Sequence, residues 1–433
     1  FRKIVIELNS QGIFILDENS ISDPIHIEFI KNFYVTSLRS HIFPVMLNTY
    51  DESAVLKDEN TYLAVLCKNS NTQAEDYALI EVPTFDLPRI ILLPNLNDNN
   101  TYLIIIDDVI RYFLNNIFSM LDYDVFSAYT VKITRDAELD IDNDESKSFI
   151  DRIEESLKQR NTGNPVRFIY DRSIPEKLLN VIQQKLKIFK QDAVVYGGKY
   201  HNFKDFMDFP LVGDVKNIYS PQPPLPHPDL NNAKRILDVL DEKDVMLMFP
   251  YQSFHYIIDF LREASINPDV RSIKMTVYRL APNSKVMNAL INAARNGKSV
   301  TVFMELQARF DEKLNIYWSA KLKQAGVRIL HSIPGLKVHS KLIQVRKIVD
   351  DTDTFYTLVG TGNFNEITSK IFSDCILMTS DSSIGQDVRN VFSIFDTVYR
   401  PQTFKSLFVS PFTTRKFIKK QIRRLIYAAQ SGQ

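Results

Sequence analysis

The sequence predicts a multidomain protein in which an α+β domain precedes an α/β domain. Three observations support this prediction. The chain has 433 residues, which is more than one ordinary domain contains. A proline-rich segment, residues 218–229, is typical of a stiff linker between domains. Beyond it, short apolar runs alternate with amphipathic runs of about 10–15 residues, the pattern of strands and helices in an α/β domain.

The composition is that of a globular protein with balanced charges. Hydrophobic residues make up 45% of the chain and charged residues 24%, and both values are ordinary for a folded domain. The formal net charge is +0, so the field of the whole chain does not attract polyanions, and we expect no nucleic acid partner. Any anion site must therefore be a local group of arginines and lysines.

Cysteine usage and hydropathy favour a cytoplasmic protein. Cys67 and Cys375 are far apart in sequence and lie beside apolar runs, so we expect buried free thiols, as in a reducing compartment. No apolar run approaches the roughly 18 residues that a membrane-spanning helix needs. The chain starts at Phe1 without a signal-peptide pattern, and we expect it to begin inside a larger protein.

The part of the chain before the proline-rich segment is expected to contain two regions. Residues 1–40 have the apolar spacing of two helices, broken near Gly12 and Ser20, and we interpret them as the end of a helical domain. Residues 41–210 mix strand and helix patterns, which predicts an α+β domain. Within it, the polar segment 69–76 joins two apolar runs and predicts a β-hairpin.

Residues 230–400 carry the alternating strand and helix patterns. The strands include residues 273–278 and 300–305, and Ser284 is a helix-capping residue between them. This order predicts βαβ units and a mainly parallel sheet. Residues 414–430 then predict a basic amphipathic helix. For this helix, a solvated basic face over a packed apolar stripe is favoured over membrane binding.

A histidine and a lysine form the candidate reactive pair. His339 lies two residues before Lys341, at the entrance of a predicted strand. Residues i and i+2 of a strand point to the same face, so both side chains are expected in one pocket. An imidazole can attack a phosphorus atom, and an ammonium group can neutralise phosphate charge. An isolated pair of this kind is more often structural, so the neighbouring motifs decide between the two interpretations.

A glycine-rich turn follows the next predicted strand. Residues 360–365, Gly-Thr-Gly-Asn-Phe-Asn, lie between that strand and a helix expected to begin near Glu366. Glycines at such a turn let backbone N–H groups approach an anion. Asn363 adds a side-chain donor. Taken alone, this turn is a weak signal, because glycine is common in turns of every kind.

Two arginines follow predicted strands of the same region. Arg279 directly follows one strand, and Arg309 lies shortly after the next. Ligands of open parallel sheets bind beyond the carboxyl ends of the strands, and a guanidinium group can bind two phosphate oxygens at once. The alternative is a surface ion pair, for instance Arg309 with Asp311 or Glu312. Together with the histidine, the lysine and the glycine-rich turn, the arginines predict a phosphate site.

Longer motifs around these residues resemble one protein family. Residues 274–279, 305–312, 334–341 and 360–366 together resemble the polyphosphate kinases of the phospholipase D-like type. Further similar segments lie at residues 134–138, 165–168, 200–205 and 249–254. The resemblance therefore covers essentially the whole chain.

The resemblance implies an order of domains. Residues 1–40 resemble the end of a helical N-terminal domain, and residues 41–210 resemble the head domain. Residues 211–406 resemble the first phospholipase D-like C-terminal domain, an α/β domain with one His-x-Lys motif. Residues 407–433 resemble the start of the second such domain.

The resemblance also implies roles for the candidate residues. His339 resembles the histidine that becomes phosphorylated, with Lys341 beside it. Arg279 and Arg309 resemble the arginines of a magnesium–phosphate site, where Lys341 and Asn363 are expected to bind phosphate too. The implied cofactor is Mg²⁺, and the implied substrates are ATP, ADP and inorganic polyphosphate. A cytoplasmic homo-oligomer, with some association at a membrane surface, is expected on the same ground.

Several positions depart from the related patterns. Phe372 stands where the family usually has a tyrosine near the nucleotide, so a hydroxyl group is lost while a ring is kept. Arg346 stands where phospholipases D carry an aspartate, which favours the kinases. The family's asparagine contact to the nucleotide would lie upstream of Phe1. No second catalytic histidine is found, because none of the remaining histidines has a lysine two residues later: His26, His41, His201, His227, His255 and His331.

Three functions are therefore weighed. The first is an ATP:polyphosphate phosphotransferase that works through a phosphohistidine at His339. The second is a phosphodiesterase of the phospholipase D type, which shares the histidine nucleophile but needs a diester substrate. The third is a non-catalytic module that binds polyphosphate. We expect the 433-residue chain to be inactive on its own, since half of the implied active site is missing. The general acid is not identified.

Overall fold

The computed structural model describes the chain in segments. They are residues 1–48, 56–57, 60–135, 151, 153, 165–188, 193–214, 219–220, 222–306, 308, 311–331, 337–396 and 403–432. The chain divides into two compact units, Phe1–Ser220 and Pro221–Gln433. The division falls inside the proline-rich segment 218–229, where the sequence predicts a linker. The domain boundaries at residues 40, 210 and 406 stay predictions.

The first unit contains helices and strands in mixed order. In chain order they are α1 (Arg2–Ser10), β1 (Ile13–Leu16), α2 (Pro24–Phe33), β2 (Val45–Met46), β3 (Thr61–Lys68), β4 (Glu75–Glu81), β5 (Ile90–Leu92), β6 (Thr101–Ile105), α3 (Ile106–Tyr112), α4 (Leu114–Ile117), β7 (Val125–Arg135), β8 (Pro165–Asp171), α5 (Glu176–Lys185) and β9 (Val194–Gly197). The strands form a three-stranded sheet, β1-β6-β5, and a six-stranded sheet, β2-β4-β3-β7-β8-β9. This is an α+β arrangement.

The purely helical prediction for residues 1–40 is wrong in one segment. Strand β1 lies between α1 and α2 and pairs in parallel with β6, from Ile13 beside Thr101 onwards. The chain breaks at Gly12, whose φ of +76° favours glycine, and the next apolar residues then reach a sheet edge. Helix α2 starts where expected, because the Asp23 side chain accepts the Ile25 N–H and caps it.

The predicted hairpin of the first unit is confirmed. Strands β3 and β4 pair antiparallel, with Tyr62 beside Glu81 at one end and Lys68 beside Glu75 at the other. The Asn69 side chain accepts the backbone N–H of Asn71 in the turn between them. A side chain that bonds its own backbone in this way stabilises a tight turn, which is why the polar segment predicts one.

The second unit is built around one large sheet. Its elements are α6 (Ile236–Glu242), β10 (Val245–Phe249), α7 (His255–Ile266), β11 (Val270–Val277), α8 (Lys285–Arg295), β12 (Ser299–Met304), α9 (Glu312–Gln324), β13 (Arg328–His331), β14 (Lys341–Val349), β15 (Thr352–Gly360), β16 (Asp374–Thr379), α10 (Ser382–Asp396) and α11 (Thr414–Gln430). The seven strands lie in the order β10-β16-β15-β14-β11-β12-β13. Ser284 caps α8 as predicted and accepts the Met287 N–H.

The prediction of a mainly parallel sheet is wrong. Among these strands, only the pairs β11–β12 and β12–β13 are parallel, and the pairs that involve β10, β14, β15 and β16 are antiparallel. Strands β14 and β15 form a hairpin whose turn residues, Asp350 and Asp351, have φ values of 48° and 59°. A connection this short can join only antiparallel strands, because a parallel pair needs a crossover.

One edge of this sheet collects several strand ends. The carboxyl ends of β11 and β12 lie side by side, with Val277 beside Met304. The start of β14 lies beside the end of β15, with Lys341 opposite Gly360. Since β14 also pairs antiparallel with β11, all of these ends face the same way. The described candidates Arg279, His339 and Lys341 and the turn 360–363 therefore come together at this edge. Among the described helices, none is long and apolar enough to cross a membrane.

Candidate active site

His339 and Lys341 lie together at the start of β14. Lys341 is the first residue of the strand and is 6% exposed. Its Nζ donates a hydrogen bond to the carbonyl oxygen of His339. The ring of Tyr278, just after β11, contacts both residues: its centroid lies 4.6 Å from the His339 ring centroid and 5.3 Å from Lys341 Nζ. The imidazole and the ammonium group thus share one aromatic neighbour.

Buried polar residues hold the backbone around His339. Thr276 Oγ1 donates to the Ser340 carbonyl oxygen over 2.8 Å and accepts the Leu342 N–H over 2.9 Å. Glu305, which is fully buried, accepts the Val338 N–H at Oε2 over 3.2 Å. These bonds fix the extended segment on both sides of the histidine to β11 and to the end of β12.

Arg279 stands beside this segment. It follows Tyr278, and its Nε lies 3.1 Å from Asp311 Oδ2. In the alternative ion-pair interpretation, Asp311 and Glu312 were the partners named for Arg309. Arg309 lies outside the residues that the structure describes, so its predicted role is not addressed by the geometry. Burial raises the pKa of Asp311, and the Arg279 charge opposes that rise.

The glycine-rich turn packs against the first residue of β16. Thr361 Oγ1 donates to Asp374 Oδ1 over 2.9 Å and accepts the Cys375 N–H over 3.0 Å. A Cβ atom added to Gly362 would lie 2.1 Å from Asp374 Oδ2, so this position has no room for a side chain. Asn363 Oδ1 is buried and has no hydrogen-bond partner within the described segments.

The segment after this turn differs from its prediction. A helix was expected to begin near Glu366, but the structure has only a short 3-10 turn, Thr368–Lys370. The Asn365 side chain accepts the N–H groups of Ile367 and Thr368. An Asn side chain that satisfies these groups favours a tight turn over a continuing helix.

The electrostatics of the site favour a neutral imidazole. Burial lowers the pKa of His339 below its ordinary 6.5, and the charges of Lys341, Lys337 and Arg279 lower it further. Burial also lowers the pKa of Lys341 to about 8, against the attraction of Asp374. At neutral pH the histidine therefore keeps a lone pair on a ring nitrogen while cationic groups surround it. This combination suits a nucleophile whose substrate is an anion.

Comparison with known proteins then shows the family. The profile of the polyphosphate kinase middle domain matches residues 26–209, and the profile of the polyphosphate kinase C-terminal domain 1 matches residues 235–401. The chain belongs to the polyphosphate kinase family.

Individual members of the polyphosphate kinase family align along the whole chain. The polyphosphate kinases of Yersinia pestis and Escherichia coli K12 are each 40% identical to it over 437 aligned positions, which include 100% of this chain and 63% of each relative. The crystal structure of the Porphyromonas gingivalis polyphosphate kinase matches with a TM-score of 0.76 and 31% identity, again over 100% of this chain and 63% of that one. The chain thus spans 63% of the length of these relatives.

The place of Phe372 near a nucleotide, where the resemblance implies a tyrosine, stays a prediction. Phe372 follows the turn Thr368–Lys370, its N–H donates to the Thr368 carbonyl oxygen, and it is 58% exposed. An exposed ring of this kind can stack on a base, but it offers no hydroxyl group for a hydrogen bond.

A direct magnesium site is not formed by the part of the chain that the structure describes. No group of three or more His, Cys, Asp or Glu residues in it could hold a metal ion. Arg279 was predicted for a magnesium–phosphate site, but a guanidinium group has only donors and Mg²⁺ needs oxygen ligands. A magnesium–phosphate site in which phosphate oxygens are the ligands of Mg²⁺ therefore stays a prediction.

Sequence reasoning assigned no role to several residues of the site. Four residues contact or support the predicted residues, although only their neighbours were singled out: Tyr278, Glu305, Glu366 and Asp374. Tyr278 adjoins Arg279 and could have been noticed as an aromatic residue at a strand end. Asp374 could not, because its place depends on the pairing of β16 with β15, which the sequence does not show.

Proposed function

We propose that the protein is an ATP:polyphosphate phosphotransferase and that His339 is its phosphate acceptor. The observation that carries the proposal is the setting of His339 in a polyphosphate kinase fold. Its pKa is lowered and its neighbours Lys341, Lys337 and Arg279 are cationic. A neutral nitrogen nucleophile in a cationic pocket fits attack on a phosphoryl group.

The proposed reaction has two transfers. In the first, a ring nitrogen of His339 forms a bond to the γ-phosphorus of ATP, and the bond from that phosphorus to the bridging oxygen breaks with release of ADP. In the second, a terminal oxygen of polyphosphate attacks the phosphohistidine, and the nitrogen–phosphorus bond breaks. The polyphosphate grows by one phosphate, and both steps are reversible.

The surrounding residues stabilise the transferred group. Lys341 and Arg279 supply positive charge, and the backbone N–H groups of Gly362 and Asn363, with the Asn363 side chain, supply donors. During transfer the charge spreads over the phosphoryl oxygens, so removal of one such contact typically costs about 3 kcal/mol, or about a hundredfold in rate. Arg309 is proposed for the same role through the family resemblance.

Phosphate labelling tests the proposal. We expect the full-length protein to take up acid-labile label from ATP labelled at the γ-phosphate. We expect His339→Ala to abolish that label, and His255→Ala, at the start of α7, to retain it. Acid-labile label that persists in His339→Ala would refute the assignment.

The remaining expectations belong to the same proposal. The phospholipase D-like description of the second unit, Mg²⁺ carried by the phosphates, a cytoplasmic location, a homo-oligomer and membrane association are proposed from the resemblance. We also propose that the 433-residue chain turns over little ATP by itself. The phosphodiesterase alternative gains no support, because Arg346 stands where phospholipases D carry an aspartate.

A further inference from the structure

The carboxylate of Glu366 caps a helix that is distant in sequence. Its Oε1 accepts the N–H groups of Lys285 and Val286 over 2.5 Å and 3.1 Å, and Ser284 Oγ lies 3.2 Å away. Ser284 itself caps the same helix through the Met287 N–H. The first turn of α8 is thus satisfied partly by its own N-cap and partly by a residue from the glycine-rich turn.

This contact joins the two sides of the candidate active site. Helix α8 begins shortly after Arg279, on the connection that leaves β11. Glu366 ends the turn that leaves β15. Strand β14, which starts at Lys341, lies between β11 and β15 in the sheet. The bond from Glu366 to α8 therefore closes a bridge across the strand that carries the reactive pair.

The start of α8 favours a negatively charged side chain at this position. A negative charge is favourable at a helix N-terminus, where the N–H groups and the helix dipole point outwards, and α8 has 11 residues. The second oxygen, Oε2, is buried without a hydrogen-bond partner among the described residues. The carboxylate thus interacts mainly with the start of α8.

We propose that Glu366 is a positioning residue, which fixes the glycine-rich turn relative to Arg279 so that both can bind one oligophosphate. The inference rests on the proposed function, since it takes the ligand of the site to be a phosphate chain. Glu366 does not itself contact the ligand. It acts through the backbone segments at either end of its hydrogen bonds.

A matched control distinguishes positioning from simple helix capping. Glu263, on α7, caps α6 in the same way: its Oε2 accepts the Ile236 N–H over 2.6 Å, and its Oε1 accepts the Leu237 N–H over 3.4 Å. Glu263 lies near the end of α7, just before β11 begins, and so at the opposite end of the sheet from the site. Glu263→Gln removes the same charge from the same kind of contact.

The test is calorimetric titration of the 433-residue chain with tripolyphosphate, together with its thermal unfolding. We expect Glu366→Gln, which keeps an acceptor oxygen, to weaken binding by about threefold, and Glu366→Ala by about tenfold. We expect Glu263→Gln to lower the unfolding temperature as much as Glu366→Gln does, with binding unchanged.

Two outcomes would overturn the inference, and they differ. If the Glu366 variants bind tripolyphosphate as tightly as the unmodified chain while their unfolding temperatures fall, Glu366 is a helix cap and nothing more. If the unmodified chain does not bind tripolyphosphate, the site has no phosphate ligand for Glu366 to serve and the inference fails, while labelling of His339 in the full-length protein tests the proposed function separately. Glu366→Gln alone decides the question if Glu366→Ala does not fold.

Discussion

Two clusters of charged residues, one in each unit, show how differently this chain uses arginine and lysine. In the first unit, Arg89 lies 2.8 Å from Asp107 and 2.7 Å from Asp205, and Arg111 lies 2.7 Å from Asp108. The side chains of both arginines are less than 5% exposed. Each guanidinium group is therefore buried against carboxylates that neutralise it.

Asp108 is the central carboxylate of the buried contacts around Arg111. It also accepts a hydrogen bond from the Tyr200 hydroxyl over 2.6 Å and lies 3.2 Å from Lys199 Nζ. Burial raises the pKa of Asp108 to about 7, although Arg111 and Lys199 both favour the charged carboxylate. The network thus joins residues 199–205 to α3 within the first unit.

The cluster in the second unit has the opposite balance. Lys341, Lys337 and Arg279 all act on His339, and each lowers its pKa. Asp311 pairs with Arg279, and Asp374 attracts Lys341, yet the positive groups prevail at the imidazole. A cluster that lowers the pKa of its own members costs folding free energy, and such a cost is expected where a site must bind an anion.

The largest expected effect is on the buried network. Arg89→Met leaves Asp107 buried without its guanidinium partner, which should lower the free energy of unfolding by about 3–5 kcal/mol. Urea unfolding of the chain measures this loss. Tripolyphosphate binding below the unfolding transition should be unchanged, because Arg89 belongs to the first unit. A decrease in the free energy of unfolding of less than about 1 kcal/mol would show that this network contributes no more than an exposed ion pair.

The next effect is in the second unit, where we expect a loss of binding without a loss of stability. Lys341→Met removes an ammonium group from the site and keeps most of its apolar stem. We expect tripolyphosphate binding to weaken by about tenfold or more without loss of unfolding free energy, because burial already disfavours the charge. The control is Lys347→Met, further along β14, where Nζ lies 3.5 Å from the Tyr356 hydroxyl. Equal weakening by both variants would contradict a local role for Lys341.

The pH dependence of binding gives a smaller effect from the same residue. The pKa of Lys341 is about 8 in the folded protein, and a bound phosphate favours the ammonium form. Binding should therefore weaken as the pH rises through about 8, by about tenfold between pH 7 and pH 9 if only the ammonium form binds. Calorimetry in buffers of different ionisation enthalpy should show proton uptake near pH 8. Lys341→Arg should remove both effects, since a guanidinium group stays protonated.

The features that sequence could predict are those set by neighbouring residues. The β3–β4 hairpin and the Ser284 cap follow from turn and capping residues adjacent to the elements they shape. The parallel sheet was predicted wrongly because periodicity identifies a strand without identifying its partner. Strand β14 pairs with β11 across a long stretch of chain, and only the folded structure shows this pairing.

The same distinction applies within the candidate site. Arg279, His339 and Lys341 were selected by residue type and by position at strand ends, and the structure brings them to one edge of the sheet. Glu366 was quoted within a motif and given no role, because its contact with α8 depends on the position of two distant segments. Residues that touch a ligand have a chemical signature in sequence, and residues that position them do not.

The smallest expected effect comes from a pair that belongs to neither cluster. Arg346 Nε lies 2.8 Å from Asp353 Oδ1, and the two side chains are 40% and 32% exposed. An exposed pair of this kind contributes about 0.2–1 kcal/mol, and salt screens it further. Arg346→Ala should therefore lower the free energy of unfolding by less than about 1 kcal/mol and leave tripolyphosphate binding unchanged. A large loss of binding would show that the cationic site extends along β14. The cluster that is compared with the buried network of the first unit would then include the whole strand and not only Lys341, its first residue.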